Sequence, residues 1–205
     1  MTPEMFVTAF VTLFLVIDPI GLVPFYIALT ADNTGRERRA IALRAALIAA
    51  VVLAVFGLAG DLILKGIGIG MPAFRIAGGL LLFLTAVDML FERRAARREG
   101  QADDAERPDP SVFPLAIPLI AGPGAMAAMI LLAGEGPDPW ASLGVTLAAM
   151  AAVILLALAL FMVAGQIKRI LGKIGVTVVT RVFGMLLAAL AVQFVVDGMK
   201  GLGLV

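Results

Sequence analysis

Two short motifs interrupt long apolar stretches of this chain with proline and with acidic or very small residues. The first is Asp18-Pro19-Ile20-Gly21, and the second is Gly122-Pro123-Gly124. Proline has no amide hydrogen and clashes with the preceding helical turn, so a helix kinks or breaks at it. Aspartate followed by proline is also typical of a helix N-cap and first helical residue. Each motif therefore predicts the N-terminus of a half-helix, whose exposed N–H groups and dipole attract an anion.

Asp18 lies deep in its apolar stretch, about 13 residues from the start, which is about 20 Å at 1.5 Å per residue. A carboxylate at that depth costs at least about 2.5 kcal/mol on insertion scales, which marks it as a functional candidate. The N–H groups after each break suit a carboxylate, and the carbonyls before it suit a cation. Such a site fits a zwitterion, and Gly21, Gly122 and Gly124 leave room only for a small one. Each motif also has a structural explanation that competes with ligand binding. Asp18 would then serve only as a helix cap, and Gly122-Pro123-Gly124 would serve only for close helix packing.

The elements that carry these motifs are predicted to be membrane-spanning helices. Of the 205 residues, 61% are hydrophobic, against about 45–50% in soluble domains, so the excess must face lipid. Six stretches approach the roughly 20 apolar residues that a spanning helix needs, and they lack the alternation of barrel strands. They run approximately over Met5–Thr30, Ile41–Gly60, Met71–Phe91, Val112–Ala133, Ala141–Gly165 and Thr177–Met199.

The basic residues predict the orientation of the chain, since Lys and Arg concentrate on the cytoplasmic side of membrane proteins. Twelve of the sixteen fall in the first, third and fifth connections between spans. We therefore expect these connections in the cytoplasm and both termini outside. Arg75 and Arg181 instead lie a few residues inside helix starts, where they could snorkel to the interface or pair with a buried carboxylate.

An internal repeat predicts how the spans are grouped. Arg75 and Gly78 align with Arg181 and Gly184 at an offset of 106, and Pro19 aligns with Pro123 at an offset of 104. The identities are few, so chance similarity is the competing explanation. A real repeat gives two three-helix halves, 1–91 and 112–205, joined by a charged cytoplasmic linker, 92–111. Because each half has three helices, the second is inverted, as in many secondary transporters.

Composition excludes several other classes of function. The chain has no cysteine and no histidine, so disulfides, the usual zinc ligands and histidine-based catalysis are absent. A net charge of +1 gives no basis for nucleic-acid binding. We expect no metal, no cofactor and no enzyme activity. The sequence also contains no nucleotide-binding P-loop, so direct ATP drive would need a partner.

At these motifs the chain resembles the MarC-type family, also called the neutral amino acid transporter family. The resemblance rests on FLVIDPIGLVPFYIAL at Phe14–Leu29 and FPLAIPLIAGPGAMAAMILL at Phe113–Leu132, with FRIAGGLLLFLTAVDML at Phe74–Leu90. It implies a six-helix, multipass inner-membrane protein that transports small neutral amino acids such as glycine and alanine. It also implies discontinuous helices 1 and 4, with the substrate site between them. Carried over, that site comprises Asp18, Pro19, Gly21, Gly122, Pro123 and Gly124.

The predicted function is therefore secondary transport of small neutral amino acids by an all-α membrane protein. A proton or a sodium ion is the natural coupling ion, and Asp18 is the best proton-carrier candidate because it is the one deeply placed carboxylate in the sequence. Arg75 and Arg181 are further candidates for charge coupling. A passive channel and a regulatory membrane subunit without transport activity are the alternatives.

Overall fold

The computed structural model describes residues 3–91, 93, 109–135 and 138–204, apart from the side chain of Lys173. Most of the predicted linker 92–111 lies outside these residues. The described part of the chain forms eight helical segments, which we number in chain order. They are α1 Pro3–Ile17, α2 Pro19–Leu29, α3 Gly35–Gly66, α4 Met71–Leu90, α5 Ser111–Ile120, α6 Pro123–Ala133, α7 Pro139–Met162 and α8 Ala164–Gly201.

Five helical stretches of the described chain are long and apolar enough to cross a membrane. They are Pro3–Leu29, Gly35–Gly66, Met71–Leu90, Pro139–Met162 and Ile174–Gly201. The pair α5 and α6, bent by 55° at its break, makes a sixth if it counts as one span. The membrane part of α8 begins after a kink at Gly172, whose φ of 61° is readily adopted by glycine.

The long helix α3 has the surface that a lipid-facing helix requires. Its exposed large apolar residues recur every three or four positions and so form one stripe: Leu43, Leu47, Val51, Val55, Leu58 and Leu62. The opposite face is buried and consists largely of small residues, including Ala42, Ala45 and Ala49. Because a stripe of this kind would be unstable in water, it supports a membrane environment for the helix.

Proline explains the irregular shape of α5. This segment is a wide, π-type helical stretch, and non-helical backbone occurs at Phe113 and Ile117. Each of these residues precedes a proline, and a residue before proline disfavours the helical region because of a clash with the proline ring. The segment therefore spans its ten residues without a regular α-helical ladder.

The helices α4 and α8 share the most extensive contact in the described part of the chain. Glycines allow the two helices to approach closely. A Cβ at Gly79 would lie 2.8 Å from the carbonyl oxygen of Ala191, and one at Gly184 would lie 3.1 Å from that of Ala86. Small residues of this kind are the usual means of close helix packing in membranes.

The bundle has two chemically different ends. At one end, which we call the basic end, the α2–α3 connection meets the α7–α8 junction, with Arg38, Arg39 and Lys168 around one pocket. At the opposite end, the starts of α1 and α7 meet the residues that follow α6. The side of the membrane that each end faces stays a prediction from the positive charges.

Candidate functional site

The first helix break is centred on Asp18, between α1 and α2. Its backbone is left-handed, with φ 55° and ψ 62°, a conformation uncommon outside glycine that aspartate and asparagine tolerate better than most residues. The Asp18 amide still donates to the carbonyl of Phe14 at 2.9 Å, and the Asp18 carbonyl accepts from the Leu22 amide at 3.1 Å. The hydrogen-bond ladder therefore continues on both sides, and the break is confined to one residue.

The Asp18 carboxylate is fully buried and is held by two different elements. One oxygen accepts from the Gly21 amide at 3.0 Å, so Asp18 caps α2. The other accepts from the Thr180 hydroxyl of α8 at 3.4 Å, a long hydrogen bond. A Cβ at Gly21 would overlap the Asp18 carboxyl group, so this cap requires glycine at position 21. An acidic side chain is thus built into the first break.

The second break begins α6 at Pro123 and has a different cap. Gly122 is extended, with φ −82° and ψ 168°, and within the described residues no side chain caps the helix. The intrahelical ladder starts with the Met126 amide, which donates to the Gly122 carbonyl at 3.0 Å. The amides of Gly124 and Ala125 precede that bond and have no acceptor inside the helix. The second break therefore offers donors and contributes no charge of its own.

The two breaks lie close together in the fold. Gly124, in the first turn of α6, is buried against α1 and α4. A Cβ at this position would lie 3.3 Å from Val16 Cγ1 and 3.3 Å from Thr85 Oγ1. Since Val16 comes two residues before Asp18, the start of α6 faces the last turn of α1. The two motifs are therefore neighbours, although 104 residues separate their prolines.

Comparison with known proteins is consistent with these motifs. Residues 3–203 match the model of a family described as MarC family integral membrane protein. The chain belongs to the MarC family. It is therefore a multipass integral membrane protein, and no solved structure matches it.

Relatives of this MarC chain occur in bacteria and archaea. It is 36% identical over 207 residues to a UPF0056 membrane protein of Aquifex aeolicus, covering 97% of this chain and 94% of that protein. It is 36% identical over 200 residues to the UPF0056 membrane protein YvbG of Bacillus subtilis, covering 96% and 94%. The UPF0056 inner membrane protein YhgN of Escherichia coli is 34% identical over 197 residues, covering 95% of each chain. These names state no substrate.

The predicted site residues of the MarC chain divide by burial. Asp18, Pro19, Gly21 and Gly124 are buried, Gly122 is half-buried, and Pro123 is exposed. The Pro123 ring therefore begins the helix without contributing to the buried interior between the breaks. The roles of these six residues in binding stay predictions.

The two arginines suggested for charge coupling lie in different surroundings. Arg75 is half-buried near the start of α4, and its Nε atom is buried without a hydrogen-bond partner among the described residues. It acts electrostatically on Glu135, after α6. Arg181 is exposed on α8, directly after the threonine that contacts Asp18. Their coupling role stays a prediction.

Sequence reasoning missed three polar residues around the site. Thr180 contacts Asp18 across 162 positions, and Thr85 lies against Gly124 while donating to the Leu81 carbonyl at 3.0 Å. Threonines in apolar helices usually bond back to a carbonyl, so neither gave a signal. Glu135 was missed because an acidic residue in a short connection normally indicates solvent.

Glu135 has an unusual electrostatic environment for a residue outside the spans. Burial raises the pKa of its carboxyl group, Arg75 opposes that change by favouring the charged form, and Asp197 adds to the increase. The Asp197 carboxylate in turn accepts from the side-chain amide of Gln193 at 2.9 Å. Among the described residues, no group of three acidic side chains is arranged to hold a metal ion.

Proposed function

We propose that this MarC chain is a secondary transporter of small neutral amino acids, such as glycine and alanine, in the inner membrane. One observation carries the proposal: the uncapped start of α6 packs against the last turn of α1 at Val16, two residues before the buried carboxyl group of Asp18. Donors and a negative charge side by side form a complementary pair for a zwitterion. The inner-membrane location is supported by the name of the relative YhgN.

The two breaks would divide the recognition of the substrate between them. The substrate carboxylate would accept from the amides of Gly124 and Ala125, where the helix dipole also favours an anion. The substrate ammonium group would donate to Asp18, whose oxygens already accept from Gly21 and Thr180. A carboxylate has about four lone-pair sites, so it can accept several donors at once.

The crowding of the site supports a small substrate. Gly21 and Gly124 are both buried, and a Cβ on either would press against neighbouring groups. A ligand that fits between such residues has little room for a side chain. Glycine and alanine meet this condition, whereas a large apolar amino acid would have to displace Val16 or Thr85.

We further propose that the halves 1–91 and 112–205 form an inverted repeat, with discontinuous helices 1 and 4 and both termini outside. The close contact of α4 with α8, the third helix of each half, supports this arrangement. Arg38 and Ser142, which are also 104 residues apart, make similar contacts and support it as well. The Arg38 side chain donates to the Thr30 hydroxyl in the connection before α3, and the Ser142 hydroxyl donates to the Glu135 carbonyl in the connection before α7. Rocking of the halves about the breaks would then alternate access to the site.

Uptake into proteoliposomes tests the proposal. Purified protein should accumulate labelled glycine and alanine when a proton or sodium gradient is applied, and Asp18→Ala and Gly122→Leu should abolish accumulation. Asp138→Asn is the matched control, because this exposed carboxylate caps α7 at the end of the bundle opposite the basic end, and asparagine retains the cap.

Three other outcomes would contradict the proposal in different ways. Normal transport by both site variants would show that the helix breaks are not the site. Equilibration without accumulation, under either gradient, would identify a passive facilitator. Failure of the wild-type protein to bind glycine or alanine in a thermal-shift assay would favour a regulatory membrane subunit.

A further inference from the structure

A cavity of about 210 Å³ opens at the end of the bundle opposite the basic end. Met5 and Ala9 of α1, Leu132 of α6, and Ser142 of α7 line it together with Glu135. Water occupies about 30 Å³ per molecule in the liquid, so the cavity has room for a solute with as few heavy atoms as glycine. The two broken spans therefore enclose an opening at this end.

The helices α1 and α6 extend from the cavity to the helix breaks. Along α1, Ala9 and Val16 are seven residues apart, which is about 10 Å. Along α6, Leu132 and Gly124 are eight residues apart, which is about 12 Å. Because Val16 and Gly124 lie against each other, the same two helices border the cavity at one level and the breaks at another. We call the surface between these levels the α1–α6 seam.

One polar side chain on this seam has unused hydrogen-bonding capacity. Thr12 follows Ala9 by three residues and precedes Val16 by four, so all three share a face of α1. Thr12 is fully buried, and among the described residues its hydroxyl has no hydrogen-bond partner. Most buried polar groups are satisfied, and threonine in a helix can bond to its own carbonyls. Thr12 therefore has an unused hydrogen-bond donor on the face of α1 that runs from the cavity to the breaks.

An acidic side chain lines the cavity, and a basic side chain outside the lining acts on it. Glu135 lines the cavity, and Arg75 is close enough to act on the Glu135 carboxyl group electrostatically. The Arg75 Nε atom has no hydrogen-bond partner among the described residues. A zwitterion can satisfy an acidic and a basic group together, which a simple cation or anion cannot do.

We propose that this cavity and the α1–α6 seam form the outward entrance to the transport path, with Glu135 and Arg75 receiving the zwitterion and Thr12 contacting it on its way to the breaks. The proposal rests on the transport function given above and adds a route and three binding residues to it. No titratable side chain of α1 or α7 lines the cavity among the described residues, so Glu135 supplies its negative charge.

Cysteine accessibility tests the route, because the natural chain contains no cysteine. Ala9→Cys and Thr12→Cys would be made singly, with Val11→Cys as the matched control. Val11 is at the same depth on α1 but is 39% exposed on the surface of the bundle. Spheroplasts would be treated from outside with a membrane-impermeant methanethiosulfonate. We expect Ala9→Cys, which lines the cavity, to react at least tenfold faster than Val11→Cys, and the fully buried Thr12→Cys to react more slowly than Ala9→Cys but faster than Val11→Cys. Saturating glycine should slow both reactions at least threefold.

Two labelling results would overturn the proposal. One is reaction of Ala9→Cys and Thr12→Cys as slow as that of Val11→Cys. The other is reaction only in inside-out vesicles, since the cavity would then open to the cytoplasm. Labelling does not depend on turnover, so a labelled Thr12→Cys combined with no glycine uptake by the wild type would contradict the proposed function and leave the route intact.

A second pair of variants separates a binding role of Thr12 from a structural one. Thr12→Val removes a buried hydroxyl without a partner, so the melting temperature should rise or stay unchanged while glycine uptake falls at least threefold. Thr12→Ser retains the hydroxyl and should restore uptake. Uptake unchanged in Thr12→Val would show that the hydroxyl does not contact the substrate.

Discussion

The break between α1 and α2 and the break between α5 and α6 each begin a half-helix with a proline, Pro19 or Pro123. The first break contains a buried carboxylate that caps its own helix, whereas no side chain caps the second among the described residues. The two breaks therefore differ in chemistry, since the first has an acidic side chain and the second has a pair of backbone donors. Two breaks with different caps can recognise an asymmetric ligand, which two identical breaks would do less well.

Replacing the charge of the first break should have the largest effect. Asp18→Asn keeps an oxygen that accepts from the Gly21 amide but removes the charge. A hydrogen bond to a charged group contributes about 1.5–3 kcal/mol, so the Kd for glycine should rise roughly 10- to 150-fold. Asp18→Ala should weaken binding at least as much and also lower the melting temperature, because losing an N-cap costs about 1 kcal/mol.

Isothermal titration of glycine, together with thermal unfolding in detergent, would separate the two effects. Asp138→Asn, at an exposed cap, controls for the loss of a carboxylate. Tight glycine binding by Asp18→Asn would mean that Asp18 only caps α2, and the chemical contrast between the breaks would have no role in recognition.

The second break should respond differently at its two glycines. A Cβ at Gly122 would lie 2.8 Å from the Pro118 carbonyl oxygen, which is backbone and cannot easily move. A Cβ at Gly124 would meet the side chains of Thr85 and Val16 at 3.3 Å, which can shift slightly. We expect Gly122→Ala to destabilise the protein by about 1–3 kcal/mol, and Gly124→Ala by less.

The effects on ligand binding should have the reverse order, with Gly124→Ala weakening binding more than Gly122→Ala. Gly124→Ala fills space beside the proposed donors, so it should weaken binding of alanine more than binding of glycine. Thermal unfolding and competition between the two ligands measure these outcomes. If Gly124→Ala binds both amino acids normally, the start of α6 is a packing contact and not half of a binding site.

The two threonines near the breaks should differ by a smaller amount. Thr180 donates to Asp18, whereas Thr85 donates to the Leu81 carbonyl of its own helix. Thr180→Val removes a long hydrogen bond to a charged group, and we expect glycine binding to weaken about threefold to tenfold. Thr85→Val should change it less than threefold. Equal effects of the two variants in titration would contradict a specific role for the α8 contact.

The sequence predicted the parts of the site that depend on local chemistry. An acidic residue before proline in an apolar stretch predicted the Asp18 cap. Gly21 was selected as space for a small ligand, and the structure adds that the cap itself leaves no space for a Cβ there. The six predicted spans correspond to five described spans plus the bent α5–α6 pair. Their bounds differ, most clearly for α3, which extends to Gly35 and Gly66 because capping and charged residues continue the helix beyond its apolar part.

Contacts between distant segments could not be predicted in this way. The approach of Thr180 to Asp18 depends on how α8 packs, and no local pattern encodes it. The burial of Glu135 has the same origin, because α1 and α7 close around a connection that reads as solvent-exposed. Arg75 was expected to snorkel or to pair with a buried carboxylate, and its electrostatic partner lies beyond the end of α6.

The smallest expected effects concern two carboxyl groups that flank the second broken helix, Asp109 before α5 and Glu135 after α6. Hydrogen bonds from Ser111 and the nearby Arg44 lower the pKa of Asp109, whereas burial raises the pKa of Glu135. A raised pKa means that the folded protein binds the proton more tightly than the unfolded chain. The contribution of Glu135 to stability is therefore fully present below the ordinary value of 4.5 and is lost as pH rises through the folded pKa.

Asp109 should act in the opposite direction. Its contribution is present above the ordinary value of 3.8 and is lost as pH falls through the lowered pKa. Melting temperatures of Glu135→Gln and Asp109→Asn, measured from acidic to neutral pH, would separate the two. Relative to the wild type, Glu135→Gln should gain stability as pH rises above 4.5. Asp109→Asn should be less stable than the wild type at neutral pH, and the two should become equally stable only at strongly acidic pH. Parallel pH profiles for wild type and Glu135→Gln would mean that the carboxyl at the cavity mouth is solvated like an ordinary surface acid, and the two sides of the broken helix would then not differ in this respect.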